Sequence, residues 1–410
     1  MSDEADAEGG AEADGDGGGS CAPGDDGCGS TELCDDGLDN DCDGEVDEAD
    51  AGCSCIYGEV QACLPGPPCG LGVGGCVAGW QACAADGTLG ACTEAIAAAD
   101  EVLDSKDNDC DGETDEGFSG TPTILCPVSF ESLPGRWWVL RCEDLCPSTG
   151  TPCDCTWSIV PPAGSGSVEV PDRTAETTRV YLDATGNFIV TATILDSRLD
   201  TWHCSFAVRA SAPGLEADLW WIDVDPFEPG NIDLHVHRDP PRTPWFIDDD
   251  CHWGNCGGRD GTYVLDWGYA DTPLADCPEL PTDRSWWDFI PRGGCPNPRL
   301  TLESFAAPEG EMFSVDAPAA GDGFRVAAHF YEDGSAFGEI PTDAFVRVSC
   351  AGRPVAQSGP VVMTTRDYGT GDIWRVADVE ILDTSGACAV TPLGTPGAPD
   401  VQGDFSRDYF

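Results

Sequence analysis

Asn187-Phe188-Ile189-Val190-Thr191-Ala192-Thr193-Ile194-Leu195 is the stretch that decides the fold class. Five of its nine residues branch at Cβ and neither Gly nor Pro interrupts it, so it packs well on a pleated surface and poorly on a helix. Working outward, the runs at 157–160, 179–182 and 202–209 share this texture and are separated by Pro, Gly and Asp. Together they predict one small antiparallel sandwich within residues 118–212. Further runs at 219–224, 232–237, 263–267, 324–331, 345–350 and 373–382 predict a second sandwich over 213–392, followed by a tail at 393–410. The only short helix candidate is 94–101. The chain reads as mainly β and multidomain, as its 410 residues also require, because single cores stop growing well before this length.

Upstream of residue 118 the composition changes. Residues 1–118 carry 31 Asp and Glu against a single basic residue, Lys106, and hold 12 of the 24 cysteines. A polyanion repels phosphates and anionic lipid surfaces and concentrates cations, which excludes nucleic acid as a partner. Cysteine at this density without paired C-x-x-C zinc spacing points to disulfides and an oxidising, extracellular or cell-surface location. No run of 18 apolar residues is present, so no transmembrane segment is expected. Met1 leads into an acidic tract rather than a basic and apolar leader, and the export signal, with any lipid anchor, is expected outside these residues. Residues 1–30 have no hydrophobic periodicity and read as a disordered acidic linker. Residues 31–117 carry few large apolar side chains, so bridges and ions must substitute for a core.

Two acidic loops explain the charge. Asp39-Asn40-Asp41-Cys42-Asp43-Gly44-Glu45-Val46-Asp47-Glu48 recurs as Asp107-Asn108-Asp109-Cys110-Asp111-Gly112-Glu113-Thr114-Asp115-Glu116, identical at nine of ten positions. Asp at alternate positions presents hard oxygens along one loop, and the Gly allows the reversal that brings later residues to the same ion. The candidate ligands in the first loop are Asp39, Asp41, Asp43, the Glu45 carbonyl, Asp47 and Asp50, which follows the EF-hand schedule with Asp at its last place. In the second they are Asp107, Asp109, Asp111, Glu113 and Asp115, but Phe118 occupies the last place, so Glu116 or a ligand from outside the loop must close the shell. Solvated Asp-Gly turns are the bland alternative, and the duplicated spacing argues against them. Clustered carboxylates without a cation repel, so metal binding and folding are expected to be coupled.

Glu32-Leu33-Cys34-Asp35-Asp36-Gly37-Leu38 followed by the first decamer resembles the MopE-type metal-binding repeat and, more distantly, the calcium loops of thrombospondin type 3 repeats. Gly75-Cys76, Gly79-Trp80-Gln81-Ala82-Cys83, Asp86-Gly87 and Gly90-Ala91-Cys92 resemble the cysteine-rich spacer between such repeats. The resemblance implies a Cys34–Cys42 bridge. Val102 stands at the place equivalent to Cys34 in the second repeat, so Cys110 must find another partner, for which the spacer is the candidate. The family name implies copper, whereas oxygen ligands suit Ca²⁺, which is placed first, with copper or Zn²⁺ behind.

Residues 119–212 resemble a PKD-like immunoglobulin-type domain through Cys155-Thr156-Trp157-Ser158-Ile159 and the run beginning at Asp183, which implies presentation of a neighbour more than chemistry. Residues 213–390 resemble a bacterial extracellular β-sandwich of unknown function whose signature reads D-x-D-L-H-V, here Asn231-Ile232-Asp233-Leu234-His235-Val236. Cys251 and Cys256 form a plausible local bridge. Alternation places Ile232, Leu234 and Val236 on one face and Asp233, His235 and His237 on the other. Two imidazoles and a carboxylate in a row could hold zinc for hydrolysis, with His203, His252 or His329 as a further ligand, or could form a polar sheet face. No H-E-x-x-H, G-x-S-x-G or P-loop pattern supports catalysis. Trp286-Trp287 in an Asp/Pro-rich stretch is the candidate for a polysaccharide contact. The expectation is a secreted or surface-tethered, calcium-binding, disulfide-rich protein with a structural or adhesive role, not an enzyme, with surface polysaccharide or protein as possible partners.

Overall fold

Side-chain alternation builds the first sandwich around the opening stretch. In Gly186–Asp196, Phe188, Val190, Ala192 and Ile194 are fully buried on one face. The computed structural model describes residues 55–64, 74–84, 87–110, 113–119, 124–147, 153–166, 174–222, 230–238, 245–246, 249–256, 265–278, 294–302, 310–332, 341–367, 370–395 and 398–406. Gly186–Asp196 lies between antiparallel Cys153–Val160 and Thr201–Ala210, and Ser129–Ser132 adds a parallel edge. Trp137–Arg141 pairs with Thr177–Tyr181 in a second, two-stranded sheet, and Trp157, Phe188, Phe206, Leu140 and Leu182 belong to one buried cluster. Disulfides Cys126–Cys204, Cys142–Cys155 and Cys146–Cys153 tie this unit together.

The second sandwich is larger. One sheet runs Arg299–Leu302, Glu311–Val315, Leu215–Ile222, Thr342–Cys350, Arg353–Met363. The other runs Asp250–Cys251, Asn231–Arg238, Gly323–Glu332, Thr370–Ile381, Ala398–Ser406, Gly394–Thr395, with Thr365–Asp367 and Cys388–Pro392 also on Thr370–Ile381. Leu219, Trp221 and Phe313 of the first sheet share one cluster with Leu234, Val236, Phe324 and Trp374 of the second. Ala398–Ser406 falls in the stretch expected as a tail, yet it completes a sheet edge.

The Cys-rich segment is a small disulfide knot. Val60–Cys63 pairs with Gly79–Ala82, and bridges Cys55–Cys83, Cys63–Cys92 and Cys76–Cys110 staple this hairpin to the chain on either side of it. The helix candidate at 94–101 is extended: Ile96 forms a β-bridge with Val77. With one large apolar residue and only eight positions, that segment lacks both the stripe and the length that a helix needs.

The knot packs against both sandwiches. Glu94 pairs with Arg347 at 3.0 Å, both side chains nearly fully buried, while its other oxygen accepts the Asn187 amide. Asn187 Nδ2 donates to the Ala78 and Glu94 carbonyls, Arg347 donates to the Thr185 carbonyl, and Glu59 bridges Ala356. Three regions distant in sequence therefore meet at one polar, buried junction.

Candidate metal centre

The second acidic loop lies at the edge of the knot, pinned on three sides. Cys110 bridges to Cys76 in the spacer, Gly75 N–H donates to the Asp107 carbonyl, and Lys106 Nζ donates to the Ser205 carbonyl of the first sandwich at 2.6 Å. Gly74, at φ +57°, lies so close to Asp107 that an added methyl group would overlap its side chain. Lys106 is buried, and burial lowers its pKa, with the nearby Asp104 charge opposing. Burial likewise raises the Asp104 carboxyl, against the Lys106 amide and charge.

Within this frame the carboxylates of Glu101, Asp107 and Asp109 offer oxygens that lie within 4.8 Å of one another. Two of the three are ligands expected from the loop spacing. Glu101, which precedes the loop, stands where an outside ligand could close the shell. Its Oε1 accepts the Asn108 and Asp109 amides and its Oε2 accepts the Asp115 amide. Three amides occupy three of the roughly four lone-pair sites of a carboxylate, which leaves capacity for a cation. The group also reaches three amides of the very loop that carries the other ligands.

The remaining expected ligands are distributed differently. Asp115 turns its carboxylate to the Asp104 and Ser105 amides, capping the preceding turn. Ser105, Cys110 and Asp115 all hold positive φ, +68°, +63° and +54°, an unusual density of left-handed non-glycine residues and a mark of a loop constrained by its surroundings. Glu113 is exposed and Glu116 partly buried, and neither belongs to the converging set. Asp111 lies outside the described residues, as do Asp39, Asp41, Asp43, Glu45, Asp47, Asp50 and the Cys34–Cys42 pair.

The donor set fits a hard cation: three carboxylates and no thiolate, because the loop cysteine is consumed in a bridge. A second group of clustered ligand atoms, Cys142, Cys146 and Cys153, consists of disulfide sulfurs and is not a metal-binding set.

In the second sandwich, His235 and His237 lie on the face opposite Ile232, Leu234 and Val236, as alternation requires, but that face is covered. His252 and His329 join them, and the half-buried Trp245 and Phe246 lie over the group. The polar sheet face expected from alternation is therefore an interior. Cys251–Cys256 closes as expected and positions His252. His203 lies in the first sandwich, beside Thr193. Trp286 and Trp287 fall outside the described residues.

Among the described residues every cysteine is paired, and no helix is long and apolar enough to cross a membrane. No curated protein and no solved structure matches the chain. One family model does, the copper-binding MopE metal-binding motif, at residues 28–48 and 97–116, and its second match contains Glu101, Asp107 and Asp109.

Proposed function

We propose that this chain is an exported, disulfide-stapled β protein whose acidic loops bind Ca²⁺, and that the ion rigidifies the knot against the two sandwiches in a structural role at the cell surface. The convergence of Glu101, Asp107 and Asp109 inside a matched metal-binding motif carries the reading. Calcium is preferred to copper on donor chemistry: oxygen ligands suit hard ions, and Cys110 has no thiolate to offer a soft one. The nine bridges among the described residues support an oxidising location. Binding and scaffolding, rather than catalysis, is the role inferred. Adhesion to surface polysaccharide or protein is the finer form of this proposal. Calorimetric titration of the oxidised, chelator-stripped chain tests the metal: saturable heat with Ca²⁺ at millimolar-range affinity or better is expected. Saturable Cu²⁺ binding with no response to Ca²⁺ would overturn the choice of ion.

A further inference from the structure

The first sandwich is open along one side. Among the described residues Trp137–Arg141 pairs with Thr177–Tyr181 alone, so it keeps one unpaired edge. The ladder shows which groups face that edge. The Cys142 amide donates to the Glu176 carbonyl and the Arg136 carbonyl accepts the Leu182 amide, so the even-numbered positions bond toward Thr177–Tyr181. Alternate residues of an antiparallel pair turn the other way, which points the amides and carbonyls of Trp137, Val139 and Arg141 to the open edge. An unpaired row of this kind is a template for another strand.

A cavity of about 380 Å³ lies beside that edge. Trp138, Val139, Leu140 and Arg141 all line it, although their side chains alternate between the two faces of the sheet. Four consecutive residues of a strand share one wall when that wall is the strand's edge. The cavity reaches inward to Trp157 and Phe206 of the buried core and outward to Leu125 and Phe130. Leu125, Phe130 and Val139 are 68%, 37% and 42% exposed, which places three large apolar side chains around one opening. Ser129–Ser132 on the facing sheet also has a free edge among the described residues, but of that strand only Phe130 lines the cavity.

We propose that this edge is a strand-addition site, at which an extended segment of a partner protein pairs with Trp137–Arg141 and buries one large apolar side chain in the cavity. Main-chain bonds then give affinity and the cavity gives selectivity. This rests on the adhesive form of the proposed function and names the kind of partner. The chemistry of the segment follows from its neighbours. Side chains directed between the sheets meet Trp138, Leu140, Trp157 and Phe206, and must be apolar. Side chains on the outer face meet Val139 and the exposed Arg141 and Arg179, which suits neutral hydroxyl residues and repels lysine. The ends of the segment should be basic, because Asp144 lines the cavity, Glu143 is exposed next to it and the chain carries a net charge of −56. That same charge disfavours a second copy of this chain as the occupant.

Fluorescence anisotropy with the intact, oxidised chain in excess Ca²⁺ tests this. The probe is the dye-labelled, amidated peptide Lys-Val-Thr-Phe-Thr-Val-Lys, with Leu or Trp replacing Phe in two further versions. Saturable binding is expected for at least one of the three. Residues opposite one another share a face, so both Thr amides meet the open edge. Methylating them should weaken binding by about tenfold or more, and so should Ala at the central place. Val139→Pro should do the same, because it removes a donor from the open edge and leaves the bonds to Thr177–Tyr181 in place. The peptide changes keep the test decisive should Val139→Pro fail to fold. A peptide of the same composition with its Lys residues adjacent should not compete. The combined Glu101→Gln, Asp107→Asn, Asp109→Asn variant should bind the probe as the unaltered chain does, so failure of the calcium reading and failure of this one are distinguishable. Absence of binding by all three peptides would overturn the proposal. So would equal binding of the methylated peptide, which would assign the cavity to a small ligand, or of the rearranged peptide, which would reduce the contact to charge. Self-association of the chain that the probe does not reverse would give the edge to a second copy, and would overturn it too.

Discussion

Glu101 shows how a single carboxylate can shape the loop that carries the proposed ligands. It accepts three amides from the segment that carries Asp107 and Asp109, so its charge orders the ligands before any ion arrives. Glu101→Gln keeps the shape but removes the charge and replaces one acceptor by a donor. Hydrogen bonds to charged groups contribute roughly 1.5–3 kcal/mol, so calcium affinity is expected to fall by about 10–100-fold in calorimetric titration. An unchanged affinity would remove Glu101 from the shell. Gly74→Ala acts on the same ring from behind, by pushing into Asp107, and is expected to destabilise the knot by roughly 1–3 kcal/mol in urea unfolding. Asp107 and Asp109 were legible because alternate-residue spacing is a local signal. Glu101 was not, since it precedes the loop and only the return of the chain through Gly75 and the Cys76–Cys110 bridge fixes where the loop sits.

At the level of elements, strands were legible wherever one face alternates into a core, and this covers Gly186–Asp196, Thr201–Ala210, Asn231–Arg238 and Thr370–Ile381. Strands such as Arg299–Leu302, Glu311–Val315 and Arg353–Met363 escaped notice. Buried Arg299 and Glu311 break the apolar pattern, and Pro354 and Gly359-Pro360 punctuate the third. Arg299 is tolerated inside because Asp316 receives both of its terminal nitrogens. The two faces of Asn231–Arg238 illustrate the limit most clearly: alternation assigns the faces, but what covers the second depends on residues far along the chain. The bridge Cys76–Cys110 is the element-scale counterpart of Glu101. It closes a separation of 34 residues, for which chain entropy gives a stabilisation of about 3–4 kcal/mol. Replacing both cysteines with serine is expected to lower calcium affinity while leaving the β-rich far-ultraviolet spectrum of the two sandwiches in place. Retained affinity would mean that the loop organises itself without the knot.

For the whole molecule, the decisive feature is that knot and sandwiches share one buried junction, so charge inside it acts on all three. Asp218 lies there, fully buried, and accepts the Thr185 hydroxyl. Burial is the largest influence and pushes its pKa up to about 6, against the opposing effects of the Thr185 hydrogen bond and the Arg347 charge. Glu216 on the same strand is also raised, first by burial and then by Asp218. For an acid whose folded pKa lies above its unfolded value, the stabilising contribution is fully present below the unfolded pKa and is lost as pH rises through the folded one. For Asp218 the window runs from about pH 4, the ordinary carboxylate range, to about pH 6, and a shift of about two units corresponds to roughly 3 kcal/mol. In chelator-containing buffer the thermal midpoint should therefore rise as pH falls from 7.5 to 5, helped by partial relief of a net charge of −56. Asp218→Asn can still accept from Thr185 but has nothing to titrate. It should raise the midpoint at pH 7.5 and flatten the slope between pH 6 and 4, with little effect below that window. A slope indistinguishable from that of the unaltered chain would show that Asp218 does not carry the linkage, and would move the pH response to Glu216 or to the acidic loops.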